Sequence, residues 1–122
     1  MTSMFDSKNC CLITKNYNGK PTVFTKKQFD LKSKQRPELR EKGILDRIKA
    51  TVEKPSFIYE DYTDRKNRFA YYLYEYKING KIRYMKVVLV YKKNYLFIIT
   101  AFRPDYVKER NKTKLLYGTD IE

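Results

Sequence analysis

The clearest helical pattern lies in the first half of the chain. Ile44, Ile48 and Val52 recur at every fourth residue, which places their side chains on one face of a helix. Pro37 is suited to the first position of a helix, and the Lys-Pro pair that follows the apolar stripe resists helical geometry. The pattern therefore predicts one helix over residues 37–53.

Segments rich in aromatic and β-branched residues fill the second half. The predicted strands are residues 56–61, 68–78, 81–91 and 95–102. Asn79-Gly80 is the strongest hairpin signal in the chain. Residues 10–15 and 21–25 flank a second Asn-Gly pair and predict an N-terminal hairpin, and residues 113–117 predict either an edge strand or a short helix.

These elements predict an α+β fold, with one main helix packed on a four-stranded antiparallel sheet and an N-terminal hairpin beside it. The chain has 122 residues, enough for a single domain, which we expect over residues 10–122 after a flexible tail at 1–9. No apolar run approaches the ~20 residues of a membrane span, and no signal peptide is recognisable. Cys10 and Cys11 are adjacent and poorly placed for a disulfide, so we expect a cytoplasmic protein.

Charge adds the first indication of a ligand. The chain has 27 Lys and Arg against 14 Asp and Glu, a net charge of +13. Residues 65–114 hold 14 of these cations with three acidic residues, and the same segment is rich in Tyr and Phe. Cations neutralise phosphate and aromatic rings stack on unpaired bases, so this composition favours nucleic-acid binding. The alternative is that the lysines keep the edges of a β-rich protein from pairing with other chains.

Several chemistries are excluded by composition. The chain has no His, which excludes His-based zinc sites and Ser-His or Cys-His nucleophile pairs. Its four glycines form no phosphate-binding loop motif. Glu60, Asp61 and Asp64 are close in sequence, but acids at a strand end are usually solvated, so we predict no metal site and no cofactor. The groups that remain for general acid–base catalysis are the side chains of Tyr, Lys, Arg, Asp and Glu, or a hydroxyl group.

Five short motifs follow one another within residues 24–117. They are Arg36–Leu39, Lys54-Pro55 with Ile58, Arg68–Tyr72, Val87–Val90 and Thr100–Phe102. Their order and spacing resemble the barnase–EndoU–colicin–RelE-like (BECR) nucleases of phages and toxins. The resemblance implies an α+β fold with a four-stranded antiparallel sheet. Relatives often carry His just before the first motif, where this chain has Arg36, so chemistry that depends on this His is lost or replaced.

The resemblance implies a metal-independent ribonuclease of the toxin or phage-effector type, which cleaves RNA such as tRNA or mRNA through a basic cleft. The implied catalytic residues are Arg36, Arg68, Tyr72, Lys86 and Thr100. We also predict that Arg83, Arg103, Lys108 and Arg110 bind nucleic acid. Lys108 and Arg110 belong to a C-terminal segment of alternating charges, which either follows a nucleic-acid backbone or only keeps the protein soluble. Cations would hold the scissile phosphate, and Tyr72 or Thr100 would orient groups or relay a proton. An acidic antitoxin or inhibitor protein is the expected partner.

Each candidate also has a purely structural interpretation. Arg68 opens a strand after a polar turn, where an exposed cation is common. Lys86 interrupts an apolar strand, so it faces either a cleft or solvent. Tyr72 and Thr100 both suit packing within a sheet. Two other functions therefore stay open: a catalytically inactive nucleic-acid-binding protein of viral or plasmid origin, and a module that docks an acidic protein.

Overall fold

The computed structural model describes residues 6–63 and 67–120. Its strands are β1 (Cys10–Lys15), β2 (Pro21–Thr25), β3 (Phe57–Glu60), β4 (Arg68–Ile78), β5 (Lys81–Tyr91), β6 (Leu96–Phe102) and β7 (Leu115–Gly118). Its helices are α1 (Lys26–Ser33), a 3-10 helix (Pro37–Arg40) and α2 (Ile44–Glu53). The seven strands form one sheet in the order β1-β2-β6-β5-β4-β3-β7.

The predicted architecture, one main helix on a four-stranded antiparallel sheet, is wrong. The sheet has seven strands and is mixed, because β2 runs parallel to β6. The N-terminal hairpin forms at the predicted bounds but extends this sheet, and β7 extends the opposite edge by pairing with β3. The alternation of side chains within a strand shows which face of the sheet each residue lies on. It does not show which distant strand pairs with that strand. The sequence pattern therefore predicted the strands but not their order and pairing in the sheet.

The single helix predicted over residues 37–53 is also wrong, because the segment divides into the 3-10 helix and α2. Gly43 has a φ of +80°, a left-handed conformation that interrupts the helical path just before α2 begins. The predicted apolar stripe is present, since Ile44, Ile48 and Val52 are all buried on α2.

The sequence pattern missed α1 entirely. Thr25 ends β2 and caps this helix, and its hydroxyl accepts a hydrogen bond from the backbone N–H of Gln28 at 3.1 Å. Because α1 buries none of its residues, it carries no apolar periodicity that could reveal it.

The two faces of the sheet are covered differently. One face packs on α2 and the 3-10 helix and forms the larger core, which includes Leu39, Ile48 and Leu89. The other face is covered by the irregular segment 103–114, which we call the crossing segment. Val107 of this segment packs against a cluster of rings from β3, β4 and β5. This second face carries the candidate site.

The opposite edges of the sheet approach each other above the larger core. Tyr17, in the turn between β1 and β2, lies with its ring centroid 4.2 Å from that of Tyr117 on β7. Asn16 of the same turn donates a hydrogen bond from Nδ2 to the hydroxyl of Tyr71 at 3.1 Å. The sheet therefore curves around α2.

The start of the chain is only partly described. Residues 1–5 of the predicted tail lie outside the described residues, while residues 6–9 form a turn in which the carbonyl of Asp6 accepts from the N–H groups of Asn9 and Cys10. Within residues 6–63 and 67–120, no helix has the length and apolar character to span a membrane.

Candidate nucleic-acid interface

A hollow of about 330 Å³ opens where β6 ends and the crossing segment begins. The residues that line it are Arg36, Glu38, Lys86, Phe102, Arg103, Pro104, Asp105, Tyr106 and Lys108. We call this hollow the basic pocket, since its lining has four cationic and two acidic residues. Its volume is at the lower end of the range for pockets that hold small ligands.

Arg36 forms one wall of the basic pocket. It directly precedes the 3-10 helix, where Pro37 fixes the start of the turn. Its guanidinium carbon lies 3.9 Å from the centroid of the Phe102 ring. Stacking on a ring occupies the flat face of a guanidinium and leaves the N–H groups at its edge available. Arg36 has no carboxylate partner among the described residues, so these donors can meet an anion.

Lys86 forms the floor of the basic pocket. It lies in the middle of β5, in register with Tyr72 of β4 on one side and Phe102 of β6 on the other. Its side chain is only 5% exposed, and Nζ donates to Oε2 of Glu109 at 2.8 Å. A buried ammonium is costly unless it is paired, and the carboxylate provides that pairing.

Glu109 is a residue of the candidate site that the sequence did not predict. It is fully buried, and the crossing segment carries it over the sheet to Lys86. Its other oxygen, Oε1, accepts a hydrogen bond from the hydroxyl of Tyr72 at 2.5 Å. Burial and the negative charge of Glu109 both raise the pKa of Tyr72, so the phenol remains a donor. One feature of the sequence points to Glu109: it is one of only three acidic residues in the basic segment 65–114.

Arg68 and Thr100 lie on the same face of the sheet as Lys86 but do not line the basic pocket. Thr100 is in register with Val88, two residues along β5 from Lys86, and Arg68 is in register with Val90, two residues further. Thr100 Oγ1 and Arg68 Nε are buried without a hydrogen-bond partner among the described residues. The structure brings Arg36 and Lys86 together in the basic pocket and joins Tyr72 to Lys86 through Glu109. Thr100 and Arg68 lie further along the same face.

Arg103 lines the basic pocket, but its guanidinium is bound to two carboxylates. Nε donates to Oε1 of Glu75 at 2.6 Å, and Nη1 donates to Glu41 at 2.5 Å. Glu75 is the extra residue of a β-bulge between β4 and β5, and it also accepts from Arg47 at 2.8 Å. Burial alone would raise the pKa of Glu75, but the hydrogen bonds from Arg103 and Arg47 outweigh burial and lower it. The network joins the end of β6 to α2.

The other predicted nucleic-acid-binding residues divide into two kinds. Arg83 and Arg110 form ion pairs with carboxylates, Arg83 with Asp105 at 3.2 Å and Arg110 with Asp120 at 2.5 Å. Lys108 lines the basic pocket, and its Nζ lies 5.0 Å from the ring centroid of Tyr62. Lys108 is therefore the member of this set whose charged side chain is best placed to meet a ligand in the basic pocket.

The acidic cluster noted in the sequence is incomplete in the structure. Asp64 lies outside the described residues, and Asp61 accepts hydrogen bonds from the backbone and side chain of Thr63. In the described part of the chain, no group of three or more Cys, Asp or Glu residues is arranged to hold a metal ion.

The fold and the basic pocket together define a protein that is chemically suited to a phosphate-bearing ligand. Residues 6–118 match the family model of the phage Barnase–EndoU–ColicinE5/D–RelE like nuclease 2, and the chain belongs to this family. This confirms the resemblance that the five motifs indicated. No curated protein and no solved structure matched the chain significantly. Membership makes nucleic acid the substrate class.

Proposed function

We propose that the protein is a metal-independent endoribonuclease whose chemical step takes place in the basic pocket. The observation that carries the proposal is that Arg36 and Lys86 converge on one hollow. They are 50 residues apart in sequence, and the family resemblance implied both of them. Fixed cations that face a developing negative charge are usually the largest contribution to catalysis of this kind. Residues 10–122 are proposed to fold as the single domain that carries the site.

The reaction that suits these residues is transfer of the phosphate to the neighbouring 2′-oxygen. The 2′-hydroxyl oxygen attacks phosphorus while its proton passes to the carboxylate of Glu38, the acid that lines the pocket beside Arg36. The bond from phosphorus to the 5′-oxygen breaks, and this oxygen takes a proton from water. The hydroxide that forms takes up the proton held by Glu38, which restores the carboxylate. The products are a 2′,3′-cyclic phosphate and a 5′-hydroxyl end.

Three cations would stabilise the charge that develops on the phosphate oxygens. Arg36 offers the edge of its stacked guanidinium, and Lys86 and Lys108 offer ammonium groups from the floor and rim. Tyr72 is fully buried, so it acts through Glu109 on Lys86 and is a positioning residue. Arg68 and Thr100 do not line the pocket, so neither takes part in this step.

The test is cleavage of purified tRNA and total RNA in the presence of EDTA. We expect Arg36→Ala and Lys86→Met to lower the rate about a hundredfold or more, the loss typical when one stabilising group is removed. The matched controls are Arg40→Ala and Lys49→Met, since both residues are exposed and neither lines the pocket. A substrate with 2′-deoxyribose at the cleaved position should resist cleavage.

Folding must be separated from chemistry in this test. Lys86→Met leaves Glu109 buried without its cation, so urea unfolding is measured for every variant. Arg36→Ala removes a side chain from the pocket wall and keeps the buried pair, so it remains informative if Lys86→Met does not fold. Equal rates for Arg36→Ala and Arg40→Ala, or loss of wild-type cleavage in EDTA, would overturn the proposal. Binding of RNA without cleavage would favour the inactive nucleic-acid-binding protein instead.

We propose that the protein acts in the cytoplasm as a toxin or phage effector, restrained by an acidic partner that covers the basic pocket. The net charge of +13 and the cations of the pocket support a partner of opposite charge. Expression should then inhibit growth, and co-expression of the partner should relieve the inhibition. Inhibition that persists in Arg36→Ala cells would contradict this part of the proposal.

A further inference from the structure

A second hollow, of about 270 Å³, lies beside the basic pocket. The residues that line it are Gly80, Lys81, Ile82, Tyr84, Asp105, Tyr106, Val107 and Arg110. Asp105 and Tyr106 line both hollows. Tyr106 therefore lies between the basic pocket and the second hollow.

The walls of the second hollow differ chemically from those of the basic pocket. Ile82, Val107 and the ring of Tyr84 are apolar surfaces, and Tyr106 adds a second ring. Asp105 keeps a carboxylate at the divide that is 78% exposed and pairs with Arg83 at 3.2 Å. A carboxylate disfavours a second phosphate there, while its oxygens can accept hydrogen bonds from an exocyclic amino group. Of the two cations that line the hollow, Lys81 and Arg110, the second is already paired with Asp120. The apolar walls and the carboxylate therefore suit a base better than a phosphate.

Tyr106 is presented to solvent to an unusual degree. Its side chain is 66% exposed, more than any other large hydrophobic side chain of the described residues. The chain that follows it is fixed, since Val107 is buried in the ring cluster and Glu109 is held by Lys86. On the preceding side, Arg103 is bound to Glu75 at 2.6 Å. An exposed ring on an anchored backbone is the arrangement by which single-stranded nucleic acids are bound through stacking.

We propose that the second hollow is a subsite for an unpaired nucleotide base, stacked on Tyr106, next to the nucleotide whose phosphate occupies the basic pocket. The inference deepens the proposed function, on which it rests, because it makes single-stranded RNA the substrate. A base inside a duplex keeps its stacking neighbours and cannot reach Tyr106.

The test measures binding of short RNA analogues that cannot be cleaved, with a 2′-O-methyl group at the scissile position. Dissociation constants are measured at low salt for a mononucleotide, a dinucleotide, and a dinucleotide that lacks the second base. We expect the second base to tighten binding about tenfold, the usual effect of one stacked base. Tyr106→Ala should abolish this gain, and Tyr106→Phe should keep it because the ring is retained.

Tyr91→Ala is the matched control. Tyr91 is an exposed tyrosine with Lys20 3.8 Å from its ring centroid, but it lies at the far end of β5, roughly 30 Å along the strand from Lys81. This variant should bind all three ligands like the wild type. Since Tyr106 is exposed, its replacement by Ala is not expected to impair folding.

The outcomes separate this inference from the proposed ribonuclease activity. If the wild type cleaves RNA but the gain from the second base is absent or survives Tyr106→Ala, only the subsite is overturned, and the ring is left as a contact for a protein partner. If the gain depends on Tyr106 but no RNA is cleaved, the subsite stands and the ribonuclease activity is overturned. If none of the three analogues binds, the subsite is overturned.

Discussion

Lys86 and Glu109 form an ion pair of 2.8 Å in which neither side chain is more than 5% exposed. The pair joins the centre of β5 to the crossing segment, and Tyr72 completes it from β4. A buried ion pair is weak evidence for stability, because removing two charges from water is expensive. Its value here is that it fixes an ammonium group on the floor of the basic pocket.

The first prediction concerns the loss of the buried anion. Glu109→Gln keeps the shape of the side chain but leaves Lys86 uncompensated, so we expect the free energy of unfolding to fall by about 3–5 kcal/mol near pH 7. Asp105→Asn breaks the exposed pair with Arg83 and should cost less than about 1 kcal/mol. Urea unfolding curves measure both. Equal losses in the two variants would mean that Lys86 does not depend on Glu109.

The second prediction concerns acid. The pKa of Glu75 is lowered in the folded state, so its ionised form stabilises the fold above the pKa of the unfolded chain, and this contribution disappears as pH falls through the lower, folded value. Glu75→Gln should therefore be less stable than wild type by about 2 kcal/mol near pH 7. The difference should shrink below about pH 4, as both proteins come to carry a neutral side chain.

The measurement is urea unfolding of both proteins across the acid range. Glu41→Gln serves as a control, because Glu41 binds the same Arg103 but is 48% exposed, and its effect should be smaller. A stability difference between Glu75→Gln and wild type that stays constant down to the acid limit would contradict the assignment.

The third prediction concerns alkali. Burial raises the pKa of Tyr71 to about 12, from an ordinary value of 10. The folded protein therefore keeps a proton that the unfolded chain releases, so stability is intact below pH 10 and falls as pH rises from 10 to about 12. Tyr71→Phe should lose some stability near pH 7 but show a shallower alkaline decline. The difference between the alkaline absorbance titrations of wild type and Tyr71→Phe isolates the ionisation of Tyr71, and a difference centred near pH 10 would contradict the prediction.

The fourth prediction concerns the edge strand β7. Gly118 has a φ of +75°, and a methyl group there would overlap the carbonyl oxygen of Ser56 and come within 2.9 Å of Phe57 Cα. Gly80 has a similar φ of +77° with open space around it. Both Ala variants incur the backbone strain of the left-handed region, so only the clash distinguishes them.

We expect Gly118→Ala to be less stable than Gly80→Ala by about 2 kcal/mol, with faster amide exchange in β7. Thermal unfolding and hydrogen exchange measure the two effects. Equal stability of the two variants would show that β7 tolerates displacement from β3.

Local signals account for the parts of the fold that could be predicted. Asn79-Gly80 fixed the hairpin, and β4 and β5 have the bounds that alternation and turn chemistry indicated. The parallel pairing of β2 with β6 depends on contacts between distant segments, and α1 depends on a single cap at Thr25. Neither the β2–β6 pairing nor α1 produces a periodic pattern in the sequence. The predicted architecture was therefore wrong, although most of the predicted strands were correct.

The same distinction applies to the candidate site. Arg36 and Lys86 stand out because Arg36 opens one family motif and Lys86 directly precedes another, and the fold brings both to one pocket. Glu109 could not be identified from sequence, since an acidic residue among lysines in an irregular segment is normally solvent-exposed. Its burial depends on Lys86 and Tyr72, which only the tertiary structure brings to it.

The contact between Tyr17 and Tyr117 has a consequence for the order in which the protein forms. A growing polypeptide releases Tyr17 in the β1–β2 turn 100 residues before Tyr117, the ring that packs against it. The parallel partner of β2, strand β6, is also far along the chain, so many native contacts join residues that are distant in the sequence. We therefore expect the sheet to close only once β6 and β7 have both been synthesised.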